Sequence, residues 1–222
     1  MEKGLIVTID GPAGAGKSTA ARLLAKRLGC RYLDSGATYR VVALLAQRRG
    51  VDPQDDEALA RLCEEVDIEF REGGQRVMVG GEDLTEEIRR PEVGMGASFL
   101  SQRKVVREAM ARLQRRLARG GVVAEGRDMG TVVFPEAQVK FYLDAALEER
   151  ARRRYRELKE RGMEADFSAV LEEIKERDHQ DSTRGLSPLR QAPDAVRIDS
   201  THLSPEEVVQ RMLEVIRERG WR

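Results

Sequence analysis

The octet Gly11-Pro12-Ala13-Gly14-Ala15-Gly16-Lys17-Ser18 constrains this chain more than any other feature. It fits the pattern G-x-x-x-x-G-K-[ST]. Before it runs Leu5-Ile6-Val7-Thr8-Ile9, an apolar, β-branched stretch that reads as a buried parallel strand. After it, Ala20, Leu23, Leu24 and Leu28 form one helical stripe. Strand, glycine-rich turn and helix in that order make a phosphate cradle. Glycines let backbone amides surround phosphate oxygens, and the helix dipole favours negative charge at its start. Lys17 supplies a cation for the β- and γ-phosphates, and Ser18 a hydroxyl for Mg2+. Residues 11–18, extended by Thr19, are therefore expected to bind a nucleoside triphosphate.

Downstream, short strands alternate with helices. Tyr32-Leu33, Val122-Val123-Ala124, residues 139–143 and residues 195–198 read as strands. Residues 36–49, 103–119 and 147–160 read as helices, and Phe167, Val170, Leu171 and Ile174 mark another. Ser204-Pro205-Glu206-Glu207 is a capping box that opens a final helix. This alternation implies an α/β fold with a parallel sheet and helices on both faces. From about residue 60 to residue 100 the texture changes. Ile68-Glu69-Phe70 and Val77-Met78-Val79 flank Glu72-Gly73-Gly74-Gln75, a hairpin signature, and Gly80-Gly81 ends the second strand. We expect a small inserted β-rich subdomain at 60–100, with residues 1–59 and 101–222 forming the core.

Composition narrows the function. The 222 residues hold 39 Lys and Arg against 39 Asp and Glu, a net charge of zero. That excludes a general basic surface for nucleic acid. No run approaches the about 18 apolar residues of a membrane span, and because residues 1–3 run straight into a strand-like segment, no secretory leader is expected. Two cysteines and two histidines give neither a disulfide framework nor a zinc spacing. The expectation is a cytoplasmic protein with reduced thiols, no structural metal and, given its charged helices, a monomeric state. The chain has no Asn, so it lacks the Asn-Lys-x-Asp motif of a GTPase, and it has no Leu-Ser-Gly-Gly-Gln signature of an ABC-type ATPase. A kinase for a small substrate needs a second anion site facing the glycine-rich turn.

Three segments could build one. Asp34 or Ser35 can cap the helix that carries Arg40. Glu125, Arg127 and Asp128 end an apolar strand, where they meet either a ligand or one another. Arg177, Asp181 and Arg184, spaced by four and three, share a helix face that is either solvated or turned to a ligand. The arginines at 150, 152, 153, 154, 156 and 161 crowd another helix, most of them reading as a solvated face.

The glycine-rich octet, Leu33-Asp34-Ser35-Gly36-Ala37-Thr38-Tyr39-Arg40, the run from Glu125-Gly126-Arg127-Asp128 through Pro135, and Lys175-Glu176-Arg177-Asp178-x-x-Asp181-x-x-Arg184 together resemble the bacterial cytidylate kinases, nearly end to end. The resemblance implies a P-loop three-layer fold with a five-stranded parallel sheet in the order 2-3-1-4-5, an inserted nucleoside-monophosphate-binding subdomain and a short helical lid at 148–165. It implies transfer of the γ-phosphoryl of ATP to CMP or dCMP, with Mg2+. By the same resemblance Arg40, Arg127 and Arg184 surround the acceptor phosphate, and Ser98, Arg107 and Asp128 read cytosine. Ser35, Arg177 and Asp181 approach the sugar, and lid arginines, Arg153 and Arg154, swing over the transferring group. Asp accepting from the cytosine amino group, with Arg donating to its acceptors, is the complementary pattern. The family often carries Asp-Gly-Arg-Asp where this chain has Glu125-Gly126-Arg127-Asp128. Glu125 is expected on the metal side, acting through a water. The competing reading is another small-substrate P-loop kinase, for UMP, dTMP or AMP.

Overall fold

The computed structural model describes residues 4–221. Residues 1–3, read above for a leader, and residue 222 lie outside them. The strand before the glycine-rich turn, β1 (Ile6–Asp10), is the centre of the main sheet. It pairs in parallel with β6 (Val122–Gly126) and β7 (Val139–Asp144). β2 (Arg31–Asp34) forms one edge beside β6, and β8 (Val196–Asp199) the other beside β7. Counted in chain order, these five strands run 2-3-1-4-5. Val7, Ile9, Val123 and Leu143 are fully buried, as continuous apolar strands must be when helices cover both faces.

α1 (Lys17–Leu28) and α8 (Pro205–Glu218) cover one face through Leu24, Met212 and Ile216. α5 (Lys104–Leu117) lies over the other, where Leu117 packs on the cluster holding Leu33, Val122 and Ala124. Each large apolar side chain so buried contributes about 1.5–3 kcal/mol. α8 starts with the expected capping box between Ser204 and Glu207.

A second, antiparallel sheet holds β3 (Ile68–Arg71), β4 (Arg76–Val79) and β5 (Glu82–Asp83). The glycine pair at 80–81 does more than end β4. Both residues take positive φ, so they turn the chain tightly into β5, a strand too short to read from sequence. Two helices also occupy this part of the chain. α3 (Asp56–Glu65) crosses residue 60, and α4 (Pro91–Leu100) fills the end of the segment. Gly94 and Gly96 had hidden the helical pattern of α4. Gly96 allows its close approach to α2 (Ser35–Arg49): a Cβ there would lie 3.4 Å from that of Ala43. One apolar cluster joins α2, α3, the small sheet, α4 and α5.

α6 (Leu147–Glu160) and α7 (Phe167–Thr183) form a helical hairpin with its own small core of Ala151, Leu158, Val170 and Ile174. Strand register then sets the functional edge. Asp34 stands opposite Glu125, and Asp10 opposite Gly126. The carboxyl ends of β1, β2 and β6 are thus level, and the loops that follow them face one another.

Candidate active site

At that edge lies a cleft of about 1100 Å³. The glycine-rich turn forms its floor. Gly11 must be glycine because its Cα packs on β7: a Cβ would sit 1.9 Å from the Leu143 carbonyl oxygen. Gly14, at φ 74°, passes under α6 with the Arg150 backbone against it. Gly11 and Pro12 are buried behind the turn and do not line the cleft, whereas residues 13–19 do. Gly16 is the N-cap of α1, with no side-chain cap and no acid in the first turn. The first amides of α1 are therefore left for an anion.

Lys17 is buried, and its ammonium donates to the Pro12 carbonyl at 2.6 Å. Burial first, then the charge of Arg127, pushes its pKa down to about 7, against the pull of Glu125. Such a lysine gains from an incoming polyanion, which favours its charged form. Glu125 is also buried, and burial and Asp34 hold its carboxyl above the usual range. Lys17 and the hydroxyls of Ser18 and Tyr32 oppose that shift.

The far wall is rich in arginine. Arg40 comes from α2, Arg127 from the turn after β6, Arg177 from α7 and Arg184 from its C-cap, and all four line the cleft. Asp181, one turn on from Arg177, accepts from Arg127 Nε at 2.7 Å and lies 3.6 Å from Arg184. Arg40 and Arg177 make no ion pair among the described residues. Arg184 keeps Nη2 buried without a hydrogen-bond partner, and burial and the charge of Arg107 lower its pKa. Four guanidinium groups facing one aspartate leave a surplus of positive charge, and an anion is what would balance it.

Beyond them sits a buried ion pair, Arg107 Nη2 with Asp128 Oδ2. Arg107 is further held by the Ser101 carbonyl at 3.0 Å and by the Ser187 hydroxyl at 3.2 Å. Its guanidinium lies over the Tyr39 ring, 5.7 Å from the centroid. Among the described residues Asp128 Oδ1 has no hydrogen-bond partner. Ser98, on α4, lines the cleft as well. Ser35 is the first residue of α2, while Asp34 takes the capping position and accepts from the Ala37 amide at 3.0 Å. The Ser35 hydroxyl packs so near Gly126 that a Cβ on that glycine would come within 2.4 Å of it.

The arginines of α6 and of its C-cap divide. Arg152, Arg156 and Arg161 are solvated. Arg150 is not: it donates to Asp178 at 2.6 Å, to the Ala145 carbonyl at 3.0 Å and to the Ala13 carbonyl at 3.1 Å. The packing of α6 on Gly14 covers this one arginine, so the solvated-face reading fails for it. Arg153 donates to the Ser200 carbonyl at 2.6 Å and to its hydroxyl at 3.0 Å, with its guanidinium beside Gly16. Arg154 lines the cleft and pairs with Glu157 at 3.0 Å.

Two parts of the site were missed in the sequence. Asp10 accepts from the amides of Met129 and Gly130 at 2.8 and 2.7 Å, which anchors the π-helical turn Met129–Val133 behind Asp128. Burial raises its pKa to about 6, against those two amides. The loop after β8 is the other. Ser200 donates to the Ala15 carbonyl at 3.0 Å, and Thr201, His202 and Leu203 line the cleft beside the glycine-rich turn. Asp199-Ser200-Thr201 at the carboxyl end of the last strand was the available signal. As for a divalent ion, Ser18 and Glu125 offer oxygen ligands. The described residues hold no cluster of three or more His, Cys, Asp or Glu side chains able to bind a metal. That donor set suits a hard cation that arrives with phosphates and water.

A protein-family model described as "Cytidylate kinase" matches residues 7–218. A cytidylate kinase of Geobacter sulfurreducens is 54% identical over 220 residues, covering 98% of this chain and 94% of that one. One of Vibrio cholerae serotype O1 is 50% identical over 214 residues, covering 95% of each. Among solved structures, a shikimate kinase of Bacteroides thetaiotaomicron aligns over 96% of this chain and 98% of that one, at 14% identity and a TM-score of 0.49.

Proposed function

The chain belongs to the cytidylate kinase family, and we propose that its cleft carries out the transfer of the γ-phosphoryl of ATP to CMP or dCMP, giving ADP and CDP or dCDP. The observation that carries this reading is the facing of two anion pockets. One is the amide nest at the start of α1; the other is the arginine wall of Arg40, Arg127, Arg177 and Arg184.

On the donor side, the amides of residues 13–19 and Lys17 hold the triphosphate. Lys17 leaves the Pro12 carbonyl to do so, and the polyanion restores its charge. On the acceptor side, Arg40, Arg127 and Arg184 grip the monophosphate. An oxygen of that phosphate attacks the γ-phosphorus. The bond to the β,γ-bridging oxygen breaks, and its electron pair stays with ADP. The attacking oxygen is already anionic, so no general base is required. Rate enhancement comes from alignment and from cations at the developing charge, Lys17, Arg153 and Arg154 among them. Ser18, and Glu125 through a water, would hold the Mg2+ that comes with ATP, and that ion would supply charge neutralisation on the phosphates.

Asp128 Oδ1 accepts from the cytosine amino group, while Arg107 and Ser98 meet the ring acceptors. Uracil presents an oxygen in place of that amino group, so UMP is repelled. Ser35, Arg177 and Asp181 border the sugar. Residues 60–100 form the inserted acceptor-binding subdomain, and 148–165 the lid. The protein works as a monomer on free nucleotides in the cytoplasm; its charged surface helices support this, and no helix among the described residues is long and apolar enough to cross a membrane.

A coupled ADP assay with CMP, dCMP, UMP, AMP and dTMP tests the assignment, with Lys17→Ala as control. CMP and dCMP should lead the panel, and the folded control should lose about 10²–10³-fold or more of the turnover. Preference for AMP or dTMP, or an active Lys17→Ala protein, contradicts it.

A further inference from the structure

Tyr32 has no part in the roles above, yet it is buried where the donor-side carboxylate meets the small sheet. Its hydroxyl donates to Glu125 Oε1 at 2.6 Å. Arg22, one turn beyond Ser18 on α1, lays its guanidinium over the Tyr32 ring, 5.3 Å from the centroid. The tip of the β3–β4 hairpin presses on the ring edge: a Cβ on Gly74 would lie 1.9 Å from Cδ1 and 2.7 Å from Cε1.

We propose that Tyr32 is a positioning residue for phosphoryl transfer: its hydroxyl fixes the Glu125 carboxylate toward Ser18 and Lys17, and the hairpin tip seated on its ring keeps that hydroxyl aimed. Glutamate has three side-chain torsions, the last of them broad, so an unanchored carboxylate would sample many directions. A charge-assisted O–H···O bond at one oxygen sets where the other points. The phenol is a donor at neutral pH, since an ordinary tyrosine hydroxyl ionises only near pH about 10. The ring is equally constrained. It cannot slide toward the hairpin because Gly74 already fills that space, and Arg22 covers it elsewhere. An element of the inserted subdomain thereby bears on a donor-side carboxylate through one side chain.

This inference rests on the kinase reading above, and the test separates the two. The variant is Tyr32→Phe, which removes one oxygen and keeps the ring. ATP binding is measured by calorimetry with and without Mg2+, beside thermal unfolding and steady-state kinetics. Tyr32→Phe should unfold cooperatively and bind metal-free ATP within about twofold of the parent protein. The tightening added by Mg2+, and kcat, should each fall about tenfold, with KM for CMP unchanged. Glu125→Gln should mask the effect, the double variant being no worse than Glu125→Gln alone. Gly74→Ala, which crowds the ring but leaves the hydroxyl, should weaken the Mg2+-dependent tightening in the same direction. Parental tightening in Tyr32→Phe or Gly74→Ala, or full additivity in the double variant, overturns the proposal. If the parent protein forms no ADP in response to CMP, it is the kinase reading that fails instead.

Discussion

Asp128 and Asp10 are both buried carboxylates near the β6 edge, and their partners give them different work. Asp128 is paired with Arg107 through one oxygen, and in the proposed reading the other accepts from the cytosine amino group. Asn at 128 would offer an amide donor where cytosine also presents a donor. Asp128→Asn should therefore lower kcat/KM for CMP by about 10²-fold and raise the ratio of UMP to CMP turnover, because removing one partner of a matched buried pair costs about 2–3 kcal/mol. Steady-state kinetics on both nucleotides checks this; an unchanged ratio would contradict the base-reading role. Asp10 faces two amide donors and makes no ion pair among the described residues. Its pKa, raised by burial to about 6 from an ordinary value of about 3.9, means that the folded state holds this proton more tightly than the unfolded chain. Its stabilising effect is complete below pH about 4 and is lost as pH rises to about 6. Denaturation of parent and Asp10→Asn proteins at pH 4 and pH 7 should show the parent losing about 2 kcal/mol more over that interval, whatever constant offset the missing acceptor adds. Parallel pH profiles would exclude the linkage.

The buried side chain of Arg150 ties the α6–α7 hairpin to the glycine-rich turn. Arg150→Ala should destabilise by about 3 kcal/mol, lowering Tm by roughly 10 °C, since it strands Asp178 and frees two backbone carbonyls. Arg152→Ala, on the solvated side of the same helix, should leave Tm almost unchanged; equal effects from the two would contradict the packing. Here sequence reached its limit for a physical reason. Six arginines between residues 150 and 161 look alike in one dimension, and only the approach of α6 to Gly14 decides which of them is covered. α4 was hidden by its two glycines and β5 by its two-residue length. The glycine-rich turn was legible because its chemistry is local: amides, cation and hydroxyl all come from residues 11–18. The sheet was legible because buried strands are apolar throughout. Asp10 was not, because a lone aspartate after a strand carries no mark of the amides it will meet from residues 129 and 130.

At the level of the fold, parallel register places three strand ends side by side, and the loops after them do the rest. The arginine wall gathers side chains from α2, from the turn after β6 and from α7, spread over residues 40–184 of the chain. Their convergence could be expected from resemblance but not from spacing. The loop Ser200–Leu203 shows the converse, a part of the cleft with no motif of its own. Because nest and arginine wall share one cleft, a molecule joining adenosine to cytidine through a polyphosphate should bridge them. Its affinity, measured by calorimetry and by inhibition against each substrate, tests this arrangement most directly. The expected result is competition with both ATP and CMP and binding at least about 10²-fold tighter than either. Competition with one substrate alone, or no gain in affinity over ATP, would contradict the facing of the two pockets.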